Sequence, residues 1–574
     1  MSQKELEMEI EQLQKHISQL QKQIDQNGLV RLLFAIVVLI MVSAGLLEKN
    51  LLLLLASFLP LLFFLLIAFR QDQAKQLCAV KKGHLMIDQK RLDRKSNAWQ
   101  EEKTTALMED QAHYLYDLDV IGKNSLYDYL HFCSCEASNI ALFDALCQPL
   151  KSFDKIKERQ EVFLELSKHP LSLNLLIEEA LLSPKEQRLL SKEDFQQTEP
   201  MPFYLKLFTF VYPVLLLAAL GLRQNFPGVI FVCMLAAVVI AGLHFNLWQE
   251  GAKKAQMQFE ATEALGKLAA TVMHSDLKHP FLKEKQKHIQ SLYQLRKQLG
   301  MADQLFKMRN NPLLLVILDG LFFYDGWLYL WFSKQPQPVY LSALSQALGE
   351  LGALCSLAQW FVIKERTVFP EWAAYLSAAD LKHPLMASTQ AVGATFEFKK
   401  GPVVITGSNM AGKTTFMRSL GLNLVLFYTG LSVDAASFKA PLLDIYTSMR
   451  VADRTQEGIS TFYGELTRIK AMIQSARNQQ PALFLIDEIF KGTNLKDRIV
   501  GARAVIEQLS YPGAFLFVST HDEALCKHDH VDITNIHFSE YYQDGKIYFD
   551  YQLKPGVSQT TNARFLMQMI GLLE

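Results

Sequence analysis

The chain has 574 residues, of which half are hydrophobic and 20% are charged. This length predicts about three or four domains, and the composition excludes a disordered or collagen-like protein while favouring a membrane-embedded part. Lys plus Arg and Asp plus Glu each number 58, so no net basic field attracts nucleic acid and any DNA binding must be local. Seven scattered cysteines without a CxxC pair indicate neither a disulfide framework nor a zinc site, and reduced thiols in a cytosol are expected.

Residues 1–27 carry a short heptad seam. Its apolar side chains recur at alternating intervals of four and three residues, at Leu6, Ile10, Leu13, Ile17, Leu20 and Ile24. Such a seam predicts either a coiled coil that pairs two chains or one amphipathic helix that packs on its own protein. The segment lacks a basic n-region and an A-x-A-like site, so it is not expected to be a secretory signal. We assign it to a coiled-coil segment.

Two pairs of uncharged stretches predict two membrane hairpins. The stretches are Leu32–Leu47 and Leu51–Phe69 within residues 28–72, and Leu207–Leu222 and Val229–Leu243 within residues 201–247. The first stretch is short for a hydrocarbon layer of about 30 Å, but flanking Arg and Lys can snorkel to the interface. A buried helical pair is the alternative for the first hairpin. Lys and Arg before and after it place both of its flanks in the cytoplasm by the positive-inside rule.

The remaining sequence before the C-terminal domain predicts long helices. Residues 73–200 and 248–375 are rich in Lys, Glu, Gln and Leu with few helix breakers, and we assign them to two halves of a helical lever domain. A third apolar run, Leu313–Phe332, contains Asp319 and Asp325. Because each charge in a bilayer costs at least about 2.5 kcal/mol, we interpret this run as a buried soluble helix.

From Gly401 onward, short β-rich runs alternate with helices, which is typical of a parallel sheet with crossover helices. The strand Val403–Thr406 leads into a G-x-x-x-x-G-K-[ST] motif made of Gly407, Ser408, Asn409, Met410, Ala411, Gly412, Lys413 and Thr414. This is a P-loop, in which backbone N–H groups and the helix that continues from Thr415 bind phosphates, Lys413 reaches the β and γ phosphates, and Thr414 ligates Mg²⁺. We therefore predict ATP and Mg²⁺ as cofactors.

Two further strands end in polar residues with matching chemistry. An apolar strand from Leu483 ends in Asp487 and Glu488, and another from Ala514 ends just before His521. Asp487 would hold Mg²⁺ through its water shell, and Glu488 would orient or deprotonate the attacking water. His521 is placed to sense the γ-phosphate. Together with Lys413, Glu488 and His521 are the predicted catalytic residues of a Mg²⁺-dependent ATP hydrolase.

These motifs resemble those of the MutS family of DNA mismatch-repair ATPases. The matching segments are Thr406–Arg418 with its Asn-Met pair, Asp487–Thr493 with its trailing Gly-Thr, Ser519–His521, Glu457–Phe462 with Glu465, His383–Leu385 and Pro555–Ser558. The resemblance covers about Leu381 to Glu574 and implies an α/β P-loop domain of ABC type at residues 376–574. It also implies a homodimer, because the family's signature serine, here Ser460, reaches the nucleotide held by the other subunit.

A weaker resemblance extends upstream. Asp117-Leu118-Asp119 and Gly349-Glu350-Leu351 look like the beginning and the return of the MutS lever domain. The second hairpin occupies the interval that holds the DNA clamp in the family, and the mismatch-reading domain has no visible counterpart. The chain therefore resembles a membrane-anchored MutS-related subgroup, expected as a multi-pass protein of the cytoplasmic membrane with its N-terminus and ATPase domain in the cytoplasm.

Three functions remain open on the sequence. The first is a membrane-anchored MutS-type ATPase dimer that handles DNA, mismatched or branched, at the membrane. The second is an ABC-type transporter, which shares the P-loop, the signature serine and the histidine but would have only four short spans per chain. The third is an ATP-driven switch that a protein partner reads without DNA, which the neutral charge and the missing mismatch-reading domain favour.

Overall fold

The structure is a computed structural model. It describes residues 3–99, 113–189, 201–222, 224, 226, 228–294, 312–333, 337–387, 389–399, 401–408, 410–449, 461–490, 494–543 and 546–558. β-Sheets that contain parallel strands, together with connecting helices, form the C-terminal part, and helices form the rest. This architecture confirms the predicted combination of an α/β domain with a long helical region.

An antiparallel helical hairpin forms the N-terminal part. Its helices are α1 (Gln3–Leu47), α2 (Leu51–Ala56) and α3 (Phe58–Lys95). The turn falls at the predicted polar residues, where the Asn50 side chain accepts hydrogen bonds from the first N–H groups of α2 and caps it. Because α1 and α3 are each continuous, positions 27 and 72 lie inside these helices.

The heptad seam is buried within the chain itself. Leu6, Ile10, Leu13 and Ile17 are at most 8% exposed, because the first half of α1 packs against the second half of α3. The structure therefore has the second of the two predicted arrangements, an amphipathic helix on its own protein. Pairing of two chains through this seam is not supported by this packing.

The helical region follows. It contains α4 (His113–Asp117), α5 (Leu126–Leu130), α6 (Glu136–Cys147), α7 (Phe153–Lys168), α8 (Pro170–Leu181), α9 (Pro184–Leu189), α10 (Phe203–Leu222), α11 (Val229–Leu243), α12 (Phe245–Met273), α13 (Pro280–Gln294), α14 (Pro312–Phe322), α15 (Tyr324–Ser333), α16 (Gln337–Ala358) and α17 (Trp360–Ile363). The central helix is α16. It lies so close to α6 that a Cβ atom at Gly349 would be 2.7 Å from the Ala137 backbone.

Four helical segments among the described residues are long and apolar enough to cross a membrane, judged by length and composition. They are Gln3–Leu47, Leu51–Lys95, Phe203–Leu222 and Tyr340–Ile363, and a bent pair, Val229–Leu243 with Phe245–Gly251, would make a fifth. The most apolar windows of the first two segments are only 6% buried, whereas that of Tyr340–Ile363 is 72% buried. The last segment is therefore a core helix of the protein.

The run Leu313–Phe332 is not the single buried helix that we predicted. It forms α14 and α15, which are interrupted at Phe323, where φ is +50°. Asp319 and Asp325 are each 4% exposed, but Val316 and Ile317 on α14 are 54% and 52% exposed. The two helices pack against α10 and α11, the second hairpin.

The C-terminal domain is built on two larger sheets and a two-stranded ribbon. Its strands are β1 (Glu371–Trp372), β2 (Leu376–Leu381), β3 (Ala394–Phe398), β4 (Gly401–Thr406), β5 (Ser437–Ala440), β6 (Asp444–Ser448), β7 (Ala482–Asp487), β8 (Ala514–Ser519), β9 (Thr534–His537), β10 (Glu540–Gln543), β11 (Lys546–Phe549) and β12 (Lys554–Pro555). The helices α18 (Lys413–Thr429), α19 (Thr461–Ala476) and α20 (Leu495–Leu509) connect them.

Among the described residues, the main sheet has the order β12-β9-β4-β8-β7-β6, in which β4 and β6 to β9 run parallel and β12 is antiparallel. The strands β4, β7 and β8 are almost entirely buried, which agrees with their continuous apolar sequences. A second sheet has the order β1-β5-β2-β3, and β10 pairs with β11.

Candidate functional site

The order of the strands determines which chain segments meet. Because β8 lies between β4 and β7 in a parallel arrangement, the carboxyl ends of these three strands lie side by side at one edge of the sheet. Ligands of open parallel sheets bind at this edge. The P-loop after β4, the acids at the end of β7 and the histidine after β8 therefore converge, although they are far apart in the sequence.

The P-loop needs glycine at two positions. Gly407 has φ +138°, and a Cβ atom there would lie 2.5 Å from the Phe538 carbonyl oxygen. Gly412 has φ +110° and immediately precedes α18. Both backbone conformations are rarely adopted by other residues. Between them, Ala411 is fully buried and Met410 is 83% exposed, so the loop presents one apolar side chain to the outside.

Lys413 lies inside the loop. Its side chain is 4% exposed, and its Nζ donates hydrogen bonds to the carbonyl oxygens of Gly407 at 2.8 Å and Ser408 at 2.9 Å. The ammonium group is therefore held at the position where the loop wraps around a bound anion. Thr415 follows in the first turn of α18, and Gly430, with φ +89°, caps the end of this helix.

The hydroxyl of Thr414 and the carboxylate of Asp487 lie beside the P-loop. The Thr414 hydroxyl donates a hydrogen bond to Asp487 Oδ2 at 2.6 Å, and the Ser519 hydroxyl donates to the other oxygen of the same carboxylate. Hydroxyl and carboxylate oxygens are the ligands that Mg²⁺ prefers. The residues present therefore fit a magnesium ion.

Glu488 and His521 form a pair at the mouth of the site. The His521 Nε2 atom lies 3.1 Å from Glu488 Oε1, and the two side chains are 43% and 21% exposed. Glu488 has φ +50°, and its N–H lies within hydrogen-bonding distance of the Ser519 hydroxyl at 3.1 Å. The strand end is thus turned so that the carboxylate faces the opening, where water can reach it.

A cavity of about 500 Å³ adjoins these residues. Its lining includes predicted residues, namely Ser408, Met410, Gly412, Lys413, Thr414, Thr415 and Glu488, and also residues that the sequence analysis did not assign to the site, namely His383, Phe416, Phe538 and Tyr551. The aromatic side chains on the cavity wall provide surface against which a planar base can pack.

Glu540 is a neighbour of the P-loop that the sequence analysis missed. It accepts a hydrogen bond from the Ser408 hydroxyl at 2.8 Å and is 5% exposed. Its other carboxylate oxygen has no hydrogen-bond partner within the described part of the chain. No motif marks this residue, because it lies in β10 outside the main sheet and reaches the loop only through the tertiary fold.

The signature segment is only partly described. Asn409, Ser460 and the residues Lys491–Thr493 lie outside the described residues, so their predicted contributions stay predictions. Glu465 is described, and its carboxylate accepts a hydrogen bond from the Phe490 N–H at 2.6 Å. Burial raises the pKa of Glu465. This hydrogen bond links α19 to the turn that follows Glu488.

The helical region contacts the domain through the acidic residues before α5. Asp117 accepts hydrogen bonds from the Thr447 hydroxyl at 2.8 Å and the Met449 N–H at 2.9 Å, and it forms an ion pair with Arg468. Asp119 pairs with Arg418 of α18 at 3.0 Å. The segment that we identified as the start of the lever therefore packs directly on the P-loop helix and on β6.

Protonation of His383 is expected to destabilise the domain below pH 6.5. Burial, together with the nearby cations Arg418 and Lys364, lowers the pKa of His383 from 6.5 to about 4. Between pH 6.5 and about 4, the unfolded chain therefore binds a proton at His383 that the folded chain does not bind. The free energy of unfolding consequently decreases as the pH falls through this range. A pKa difference of this size corresponds to about 3 kcal/mol.

Urea unfolding followed by tryptophan fluorescence at pH 7.5, 5.5 and 4.5 would measure this effect. His383→Gln should flatten the pH dependence, whereas His530→Gln at an exposed position should leave it unchanged. The same pH dependence in His383→Gln and in the unmodified protein would contradict the assignment.

The comparisons with known proteins agree with this geometry. Residues 403–572 match MutS domain V. The C-terminal part of the chain is similar to the MutS family. The chain is 31% identical over 228 residues to the DNA mismatch repair protein MutS of Exiguobacterium sp., an alignment that covers 38% of the chain and 26% of the relative. It is 30% identical over 234 residues to MutS of Thermus aquaticus, with 40% of the chain and 28% of the relative covered.

A third relative is the DNA mismatch repair protein MutS 2 of Haloarcula marismortui, 33% identical over 178 residues, with 29% of the chain and 18% of the relative covered. The chain thus spans between 18% and 28% of the lengths of these three MutS relatives. The described P-loop, Asp487, Glu488 and His521 all fall within the MutS domain V match.

Proposed function

We propose that the chain is a membrane-anchored ATPase of MutS type, in which ATP binding and hydrolysis at a dimer interface move a helical lever and drive DNA handling at the membrane. One observation carries the proposal. Lys413, the Thr414–Asp487 pair and the Glu488–His521 pair converge beside one cavity at the carboxyl edge of the parallel sheet.

Each group has a distinct task in ATP hydrolysis. Nucleotide phosphates compete with the loop carbonyls for Lys413, because a charged partner binds an ammonium group more strongly than a neutral oxygen. Thr414 and Asp487 would hold Mg²⁺, which when bound neutralises charge on the phosphates. Glu488 accepts a proton from the attacking water, and His521 keeps its carboxylate oriented. The exposed fractions of this pair are consistent with access by water.

A homodimer completes the site. In this proposal Ser460 of one chain reaches the nucleotide held by the P-loop of the other, as the MutS resemblance implies. The N-terminal seam does not support the dimer, because its own chain covers it. The support is the exposure of the opening beside Met410 and His521, which leaves a bound nucleotide accessible from one side.

The lever has a continuous route from the P-loop helix to the membrane. Trp360 Nε1 donates to the hydroxyl of Ser432, which lies just beyond α18, at 3.0 Å. The neighbouring Gln359 accepts a hydrogen bond from Arg91 of α3 at 3.0 Å. The same helix, α3, begins at Phe58 inside the predicted membrane hairpin of residues 28–72. A displacement of α18 would therefore be passed on through rigid, hydrogen-bonded helices, which is the kind of contiguous network that carries coupling.

The hairpins support anchoring in the cytoplasmic membrane. Their outer surfaces carry large exposed apolar side chains such as Leu39, Leu52, Leu217 and Phe231, at 72%, 78%, 69% and 70% exposure. Exposed apolar patches of this extent mark a membrane or protein interface. The proposed topology is multi-pass, with the N-terminus and the ATPase domain in the cytoplasm.

ATP turnover of the detergent-solubilised protein tests the proposal. We expect Mg²⁺-dependent turnover that Lys413→Ala abolishes and that Lys399→Ala, at an exposed lysine of the same domain, does not affect. Homoduplex, mismatched and branched DNA are then added at low and high salt. Stimulation by one DNA form, lost at high salt as counterion release requires, supports DNA handling.

The outcomes separate the parts of the proposal. Turnover no higher than that of Lys413→Ala would contradict the ATPase assignment. Robust turnover that is indifferent to every DNA would contradict the DNA role and favour a switch read by a protein partner.

A further inference from the structure

The broken helix formed by α14 and α15 packs on the second hairpin and on the first part of α12, which follows that hairpin directly. Phe323, at the break, contacts Phe208 of α10 edge to face, with ring centroids 4.8 Å apart. Trp327 contacts Phe210 of the same helix at 5.1 Å. On the other side, a Cβ atom at Gly320 would lie 3.4 Å from the Met234 side chain of α11. The break is therefore enclosed by both helices of the hairpin.

These contacts place the break well inside the hairpin. The Tyr212 hydroxyl, which lies near the middle of α10, donates a hydrogen bond to the Gly320 carbonyl oxygen. Met234 lies near the middle of α11. If the hairpin crosses a bilayer, the break between α14 and α15 lies at the depth of these residues and not at the surface.

The two aspartates do not oppose membrane insertion. Asp319 and Asp325 are each 4% exposed, and Asp319 Oδ1 accepts a hydrogen bond from the Asp325 N–H at 2.8 Å. The large cost of a charge in a bilayer applies to groups that face lipid, whereas ionisable residues at membrane depth are found turned into the protein. The objection on which we based a soluble helix therefore does not hold in the folded protein.

The outward face of α14 is apolar. Val316, Ile317 and Phe322 are 54%, 52% and 58% exposed, and Val232 on α11 is 62% exposed. This surface is continuous with that of the hairpin, because α14 packs along α11. Its composition matches the hydrocarbon layer that would surround the hairpin.

Two backbone groups at the break are satisfied by side chains. The Tyr212 hydroxyl pairs with the Gly320 carbonyl, and the Asp319 side chain pairs with the Asp325 N–H. Interrupted helices are tolerated at membrane depth only where neighbouring groups replace the lost hydrogen bonds. The Gly320 carbonyl and the Asp325 N–H meet this requirement.

The nearest described helices before and after the broken helix belong to the helical core. Before it, α13 packs on α16, with an ion pair between Lys285 and Glu350, and α16 is itself the next described helix after α15. At 1.5 Å per residue, each half is about 15 Å long, roughly half of the hydrocarbon thickness of about 30 Å. Neither half spans a bilayer by itself, and because helices of the helical core precede and follow the segment, we interpret it as a re-entrant element and not as a span.

We propose that residues 312–333 form a re-entrant element that enters the bilayer beside the second hairpin, with its outward face against lipid acyl chains. This inference rests on the membrane anchoring in the proposed function. It adds a third apolar element to the second hairpin and differs from the soluble helix that the sequence predicted.

Spin-label accessibility in lipid nanodiscs tests the inference on the full chain. The background carries Cys147→Ala and Cys233→Ala, because the other five cysteines are buried, and must retain the ATP turnover of the unmodified protein. Labels are then placed singly by Ile317→Cys in α14, Val232→Cys in α11 and Val500→Cys, which is 70% exposed on α20. Collision with apolar oxygen and with a water-soluble nickel chelate is measured at each.

We expect labels at 317 and 232 to collide several-fold more with oxygen than with the chelate, and the label at 500 to show the reverse. A lipid-like label at 232 with a water-like label at 317 would overturn the inference and leave the anchoring intact. Water-like labels at both positions would overturn the anchoring as well. An immobile label at 317, reached by neither reagent, would mean that protein such as a second copy covers this face, which also overturns the inference.

Discussion

Glu488→Gln is expected to lower the rate of ATP turnover by about 10²–10⁴-fold, the usual contribution of a general base, while ATP still binds. The amide has nearly the same shape as the carboxylate but cannot accept the proton of the attacking water. The residues that contact phosphate and Mg²⁺ in the proposed mechanism, Lys413, Thr414 and Asp487, are unchanged. The variant should therefore retain unhydrolysed ATP and accumulate as the closed dimer.

Two measurements on the same sample check this result. Steady-state phosphate release gives turnover, and light scattering with ATP and Mg²⁺ gives the mass of the complex. Glu523→Gln makes the same chemical change at an exposed position and should behave like the unmodified protein. If Glu488→Gln turns over normally or stays monomeric with ATP, the proposed mechanism fails.

Asp117→Ala is expected to cost about 3–5 kcal/mol of stability, the range for removing one partner of a buried ion pair. Asp117 is 1% exposed and receives hydrogen bonds from Thr447 and the Met449 N–H in addition to its ion pair with Arg468. Removal of the carboxylate leaves the Arg468 guanidinium, whose side chain is only 16% exposed, without this counter-charge.

A matched control exists on the same interface. Asp444 of β6 pairs with Lys151 of the helical region, and the two side chains are 45% and 77% exposed. Because water screens such a pair, Asp444→Ala should cost at most about 1 kcal/mol. Urea unfolding of both variants measures the difference. Equal losses of stability in the two variants would mean that burial of Asp117 does not matter at this contact.

Asp117→Ala should also weaken the link between the ATP cycle and the helical region. Next to Asp117, the Leu118 side chain contacts Gly421 of the P-loop helix so closely that a Cβ atom at Gly421 would lie 2.6 Å from it. Asp119 forms an ion pair with Arg418 of the same helix. Loss of this anchor should leave residual ATP turnover but reduce any stimulation by DNA. Equal stimulation in the variant and in the unmodified protein would argue against transmission through this contact.

The chemistry of the site could be predicted from the sequence because it depends on local order. The P-loop is a strand, a glycine-rich turn and a helix in direct succession, and Asp487, Glu488 and His521 each follow a continuous apolar strand. Parallel strands bring their carboxyl ends to one edge, so the edge follows from the strand type, whereas the placement of β8 between β4 and β7 was decided by the fold. The turn of the first hairpin at Asn50 was likewise a local property.

Other features depended on contacts between distant segments. A heptad seam specifies an apolar stripe but not the surface that covers it, and only the fold brings α3 onto Leu6 and Ile10. Glu540 reaches Ser408 across 132 positions, and no periodicity indicates that contact.

The aspartates of the broken helix illustrate the same limit. The sequence by itself determined that Asp319 and Asp325 lie in an apolar run, and their charge predicted a soluble helix. Only the tertiary structure decided that both carboxylates face protein, because the break at Phe323 and the packing on α10 and α11 set the direction of each side chain. The cost of burying a charge depends on what surrounds it, and that surrounding is a property of the fold.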